Sequence, residues 1–393
     1  MLHLWSGLIL MALSLMGASA AQTAQSTVGA DEIVLTAGNE RTPETMGIYV
    51  MRADGSNLRQ LAHDPEYESM WARISPDRTQ IIFHRSEVGK INELNRYRST
   101  GIWLMNADGS DLREIRPAQT DGWFLQGHVE WSPHGDELLV FARETSSSPT
   151  QLFLLDLDGD ISRRVTMTPG DTADASFSPD GTQIVFAGCP EGGCPSADLY
   201  LMPTDGSHPA RRISDPNEVQ DNDPYFSPDG KKVTWNRNRL TQILPPAGES
   251  LALVATLTGD TLGAPEQIGD NQLNAVPVWS PDGDSLYVHR FDFDGTKRWD
   301  IVRLALATGE MTNLTNRYRS GEMTDWTFWF PHAGTPSTFS QNGVGALPTT
   351  LPDPESGMTP DGPPGNQPAQ VAGGLLLLVG FGVLLWRWRQ SPS

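Results

Sequence analysis

The chain has 393 residues, a formal net charge of −20 and 8% aromatic residues, enough length for one large or two ordinary domains. A negative field of that size repels phosphate backbones and anionic lipid, and no basic stripe offsets it, so nucleic acid is excluded as a partner.

Residues 1–20 read as a signal peptide. The apolar run from Leu2 to Met16 ends in Gly17-Ala18-Ser19-Ala20, small residues of the kind that signal peptidase cuts after. The start of this segment holds His3 but neither Lys nor Arg, so an uncleaved anchor is the alternative. Both readings export the chain.

Three short units follow: Ile33-Val34-Leu35-Thr36-Ala37, Ile48-Tyr49-Val50-Met51 and Leu58-Arg59-Gln60-Leu61. Each is rich in β-branched or aromatic residues and bounded by Gly, Asp, Pro or Asn, the signature of a short strand. All three recur, the first as Ile81-Ile82-Phe83, Ile184-Val185-Phe186 and Leu286-Tyr287-Val288, the others in step with it. Ahead of the first unit stands a turn: Ser75-Pro76-Asp77-Arg78, Ser132-Pro133-His134-Gly135, Ser178-Pro179-Asp180-Gly181, Ser227-Pro228-Asp229-Gly230 and Ser280-Pro281-Asp282-Gly283, with Trp329-Phe330-Pro331-His332 as a decayed sixth copy. Proline presets φ, aspartate suits the next position, and glycine takes the left-handed conformation that closes a hairpin. Arg78 in the glycine slot costs about 1 kcal/mol if it must be left-handed.

Four strands in about fifty residues is the period of a propeller blade. The first repeat lacks a leading strand and the last lacks the three that should follow, so Asp325 to Phe330 is expected to form the innermost strand of the blade built by residues 33–61. Closure of this kind leaves no exposed inner edge. The residues before the turns, Ile74, Trp131, Phe177, Phe226, Trp279 and Trp329, are expected to fill the gaps between blades. The fold class is thus all-β: a six-bladed β-propeller over residues 31–332 with ring closure by the two ends of the domain, plus a signal peptide and a C-terminal membrane helix.

Residues 335–370 are rich in Pro and Gly and read as a disordered stalk. Residues 371–386 are apolar and as a helix would span about 24 Å, short of the roughly 30 Å hydrocarbon core but extendable by Trp386, Trp388, Arg387 and Arg389. Residues 387–393 form a basic cytoplasmic tail, which puts the propeller outside the cytoplasmic membrane, in the periplasm or at the cell surface. The alternative is a C-terminal sorting segment removed by a transpeptidase, although Leu347-Pro348-Thr349-Thr350-Leu351 only half matches the Leu-Pro-any-Thr-Gly motif.

The apolar-Ser-Pro-Asp-Gly turn at 177–181, Ile184-Val185-Phe186, Leu199-Tyr200-Leu201-Met202 and Asp205-Gly206 resemble the WD-like repeats of the TolB propeller, which also occur in prolyl oligopeptidases. The resemblance covers residues 31–332. It implies the propeller fold and a TolB-like protein- or ligand-binding scaffold without catalysis or cofactor. TolB carries an α/β domain before its propeller, for which the few residues between 20 and 31 leave no room, so the Tol–Pal partnership is not carried over. The peptidase relatives' Gly-any-Ser-any-Gly elbow is absent from the sequence. The alternative reading is a propeller hydrolase or lyase acting on extracellular glycan or peptide.

Histidines 63, 84, 128, 134, 208, 289 and 332 are scattered over the blades; His84 and His289 share a repeat position that Thr36, Ala142, Ala187 and Asn236 fill elsewhere. Asp156-Leu157-Asp158-Gly159-Asp160 and Asp292-Phe293-Asp294-Gly295 lack EF-hand spacing and read as hairpin turns, so no metal is assigned. Cys189 and Cys194, the two cysteines of an exported chain, are expected to form a disulfide.

The ligand site is expected at the mouth of the channel. The inner strands start at His128, Asp174, Asp221, Asp223, Asn274 and Asp325, and the next strands end at Arg85, Arg143, Arg237 and Arg290, all on one face. Counting through the turn puts Arg237 close to Asp221 and Arg290 close to Asn274. As cross-strand pairs at a wet rim these contribute about 0–1 kcal/mol each; as a site, the arginines grip the carboxylates of a protein or peptide partner outside the cell or in its envelope. The protein is expected to be monomeric.

Overall fold

A computed structural model describes residues 27–39, 42–90, 97–194, 196–215, 219–238, 250–270, 274–291, 295, 298–323 and 325–334. They form six antiparallel sheets; five are entered by the inner strand and built outward, and the sixth receives its inner strand last. The inner strands of the first to sixth blades are Tyr67–Ile74, Leu125–Trp131, Thr172–Phe177, Gln220–Phe226, Asn274–Trp279 and Thr327–His332. Each touches the next, and the sixth touches the first, so the sheets close into a propeller ring.

The turns explain the repeat. Ser178 Oγ donates to Asp180 Oδ1 at 2.6 Å and accepts from Gln183 N at 2.9 Å; Ser75, Ser227 and Ser280 repeat both bonds with their own aspartates. Gly181, Gly230 and Gly283 have φ of 71°, 70° and 76°, as the motif requires. Arg78 stands at φ 63°, so the first turn keeps the same backbone despite its side chain. That side chain is used: its guanidinium donates to the carbonyls of Val28, Gly29 and Glu32 and to that of Ala333, fastening the two ends of the domain together.

The ring closes as the complementary ends require. Glu32–Asn39 pairs with Thr327–His332 on its inner side and with Thr42–Arg52 on its outer side. The closing strand lies two residues beyond the expected 325–330. The register pairs Val34 with His332, while the residues before the other turns pair with Ile81, Leu138, Ile184, Val233 and Leu286. The position before the sixth turn therefore falls to Ala333 rather than Trp329. Large groups before the turns do bridge blades: Trp131 Nε1 donates to Arg73 O and Trp279 Nε1 to Tyr225 O. The position shared by His84 and His289 also faces the next blade, since Thr36 Oγ1 accepts from Trp71 N and His289 Nδ1 from Phe330 N.

The expected membrane helix requires correction. Among the described residues no helix is long and apolar enough to cross a membrane; those present are 3-10 turns of three residues, against the roughly 20 residues a span needs. The segment 371–386 that carried the expectation lies outside the described residues, as do 1–20, 335–370 and 387–393. Membrane anchoring is accordingly not carried forward, nor is the membrane as a partner.

Candidate functional site

Each inner strand carries one residue in the left-handed region: Trp71, His128, Asp174, Asp223, Val276 and Phe330, with φ between 45° and 56°. At each the pairing with the second strand shifts register. Such a bulge re-aims a side chain, and here it turns one from each blade toward the axis. The ring is two-sided. Trp71, Val276 and Phe330 share one apolar cluster, with Trp71 edge-on to Phe330 at 4.9 Å and stacked on Tyr97 at 5.4 Å. Tyr97 reaches this position because residue 127 is glycine: a Cβ there would lie 2.3 Å from the Tyr97 ring. On the other side stand His128, Asp174 and Asp223, from three consecutive blades, with one ligating atom of each within 4.8 Å of the others.

A second layer lies two residues further along each strand. Arg73 of the first blade donates from Nε to Glu130 Oε1 of the second and from Nη2 to Tyr225 Oη of the fourth at 2.8 Å. The first and fourth blades face one another across the ring, so this contact seals the channel. Tyr225 Oη donates to Glu130 Oε1 at 3.2 Å and lies 3.1 Å from His128 Nε2. Tyr225 has one proton, which goes to Glu130, so His128 Nε2 carries the hydrogen it shares with Tyr225. His128 Nδ1 meets Asp174 Oδ1 at 3.0 Å. Above the seal the result is a cup, lined by the left-handed ring and open where the Asp174 side chain is 22% exposed.

Electrostatics follow from burial. Burial works against the His128 imidazolium, but the hydrogen bond and charge of Asp174 outweigh it and the pKa is raised. Burial, reinforced by the Asp174 carboxylate, pushes Asp223 up to about 7. Asp223 is 7% exposed, and no described residue donates a hydrogen bond to it.

The expected site residues divide. His128, Asp174 and Asp223 meet in the cup. Asp221 lies outside it, receiving Arg237 Nε and Nη2 at 2.7 and 2.8 Å. Arg85 pairs with Asp64 and lies over the rings of Tyr67 and Trp103, Arg143 pairs with Asp171, and Asp325 takes Arg298. Asn274 is in register with Arg290, but the Arg290 guanidinium goes to Asp270 at 2.8 Å; the Asn274 side chain is outside the described residues. Cys189 and Cys194 are joined in a disulfide, whose loop is tied down by Tyr200 Oη donating to Glu191. Asp156 Oδ1 accepts from the backbone of Asp158 and Asp160, as a turn requires, while residues 292–294 lie outside the described residues.

Trp71, Arg73, Glu130 and Tyr225 were not expected in the site. A signal was available: counting back three from Ile74, Trp131, Phe177, Phe226 and Trp279 lands on Trp71, His128, Asp174, Asp223 and Val276, and counting back one from Ile74, Trp131 and Phe226 lands on Arg73, Glu130 and Tyr225.

No protein-family model matches the chain. It is 28% identical over 144 residues to a TolB homolog of Chlorobium luteolum, a match taking in 35% of this chain and 28% of that protein. It is 26% identical over 160 residues to dipeptidyl-peptidase 5 of Aspergillus fumigatus, covering 37% of this chain and 22% of the relative. Among solved structures, TolB from Acinetobacter baumannii superposes with a TM-score of 0.58 at 18% identity, covering 79% of this chain and 68% of that one. A chain of a nidogen/laminin complex gives 0.53 at 11% identity, covering 77% and 97%. The domain is a TolB-like six-bladed β-propeller in fold.

Proposed function

We propose that this propeller is a non-catalytic binding module that takes a protein or peptide segment on the face where the cup opens. The observation that carries this reading is the seal: Arg73, Tyr225 and Glu130 close the channel from within, leaving a one-sided concavity with convergent polar groups and an aromatic wall, the usual form of a binding site. His128 is engaged at both ring nitrogens, which suits a positioning group better than a free base. The Cys189–Cys194 disulfide fits an oxidising, extracytoplasmic compartment.

The test places a photo-crosslinking side chain at Arg98, beside Tyr97 at the cup, and separately at Asp229, in a turn on the opposite face. Crosslinking to a defined partner from Arg98 alone, lost on Asp174→Arg, is the expected result. Equal crosslinking from both positions, or indifference to Asp174→Arg, would move the partner site elsewhere.

A further inference from the structure

We propose that His128 Nδ1 and the carboxylates of Asp174 and Asp223 hold a first-row divalent cation, zinc or manganese, in the cup. This goes beyond the binding reading and does not rest on it, since ion binding is measured on the protein alone.

Three observations converge. The first is geometric: His128 Nδ1 and Asp174 Oδ1 are 3.0 Å apart, the spacing of two ligands at right angles about an ion with bonds of about 2.1 Å. Asp223 has its oxygen within 4.8 Å of both and has to draw in by about an ångström to complete the set.

The second is a missing partner. Asp223 is buried to 7% exposure, and no described donor reaches its carboxylate, although a buried carboxylate needs a hydrogen bond or a cation to offset its lost hydration. It shares its left-handed backbone with His128 and Asp174, so the same bulge in three consecutive blades aims all three groups at one point.

The third is the orientation of the imidazole. With its Nε2 hydrogen committed to Tyr225, His128 meets the Asp174 carboxylate through Nδ1; a proton satisfies that contact in the ion-free protein, and its loss leaves the Nδ1 lone pair and the carboxylate aimed at one point where a cation can replace it. Tyr225 is itself held by Arg73 and Glu130, the kind of outer support that fixes the tautomer and orientation of a ligating histidine.

The donor set selects the ion. Calcium and magnesium take oxygen ligands, whereas one imidazole nitrogen with two carboxylates suits zinc or manganese. Two carboxylates and a neutral imidazole balance a charge of +2. The exposed edge of Asp174 leaves coordination positions open to water. An organic cation fits less well, because Trp71 already stacks on Tyr97 and meets Phe330, so those ring faces are occupied.

The experiment titrates metal-stripped full-length protein with Zn2+ and with Mn2+, reading stoichiometry by calorimetry, Mn2+ binding by electron paramagnetic resonance and melting temperature in parallel. One equivalent of one of these ions is expected to bind and raise the melting temperature. Asp223→Asn is expected to weaken binding by about 10²-fold, while Asp158→Asn, in an exposed turn, leaves it unchanged. Because adventitious zinc can sit on surface histidines, Asp174→Asn/Asp223→Asn serves as the reference, its fold checked by circular dichroism. Equal binding by wild type and that double variant overturns the proposal. So does binding of neither ion, or a melting temperature raised by tetramethylammonium and by neither metal.

Discussion

Arg73 and Glu130 join the first and second blades at the bottom of the cup, with side chains only 1% and 9% exposed. Arg73→Met leaves Glu130 with the Tyr225 hydroxyl and, at 3.9 Å, His128 Nε2 in place of its guanidinium, and breaking a buried ion pair in this way costs about 3–5 kcal/mol. Glu130→Leu strands Arg73, which keeps Tyr225 Oη and Ala72 O as acceptors, at a similar cost of about 3–5 kcal/mol. The double variant removes both charges together and is expected to lose no more than about 1–2 kcal/mol. The cycle therefore predicts a coupling of several kcal/mol, well beyond the roughly 0.5 kcal/mol within which independent sites add. Urea unfolding followed by tryptophan fluorescence, in EDTA so that no ion contributes, measures all four proteins. If the double variant loses the sum of the two single losses, the pair is not the inter-blade seal described above.

Arg78→Gly relieves a left-handed arginine, a gain of about 1–2 kcal/mol, but removes four charged hydrogen bonds to carbonyls. Each is worth about 1.5–3 kcal/mol, so a lower melting temperature and faster amide exchange from Val34 to Gly38 are expected. Burial lowers the His289 pKa from 6.5 to about 3, so the unfolded chain binds the extra proton between those values. Stability is accordingly lost as pH falls from 6.5 toward 3, by up to about 3 kcal/mol at about pH 4.5, and denaturation series should show a flatter acid limb for His289→Asn. Replacing Cys189 and Cys194 by serine should cost no more than about 2 kcal/mol, because the loop they close is short; thiol titration of the unfolded, unreduced wild type should find no free thiol.

The blades were legible because each is punctuated by chemistry that acts locally: Ser178 and Asp180 satisfy one turn within a few residues, and the same residues recur wherever the turn does. Ring closure could be read from the complementary ends. The sixth blade was misaligned because Pro331 resembles the turn proline while the pairing of Val34 with His332, which no local pattern encodes, sets the true register. The rim pair Asp221–Arg237 followed from counting through a hairpin. The cup did not, because Arg73, Glu130 and Tyr225 come from three blades spread over 152 residues and meet only when the ring has closed. Nor does alternation of inward and outward side chains survive the bulge, so a strand read as regular places His128 and Asp174 at a rim instead of on the axis.

The Arg78 clasp also sets how the domain responds to tension. Val28 and Ala333, both bound to that guanidinium, sit at neighbouring ends of two antiparallel strands. A pull between the two ends therefore loads the clasp first and then the bonds from Val34–His332 toward Gly38–Thr327 one pair at a time. The strands part like a zip, in sequence and at low force. A pull along strands gripped at opposite ends would instead have to shear all their bonds together.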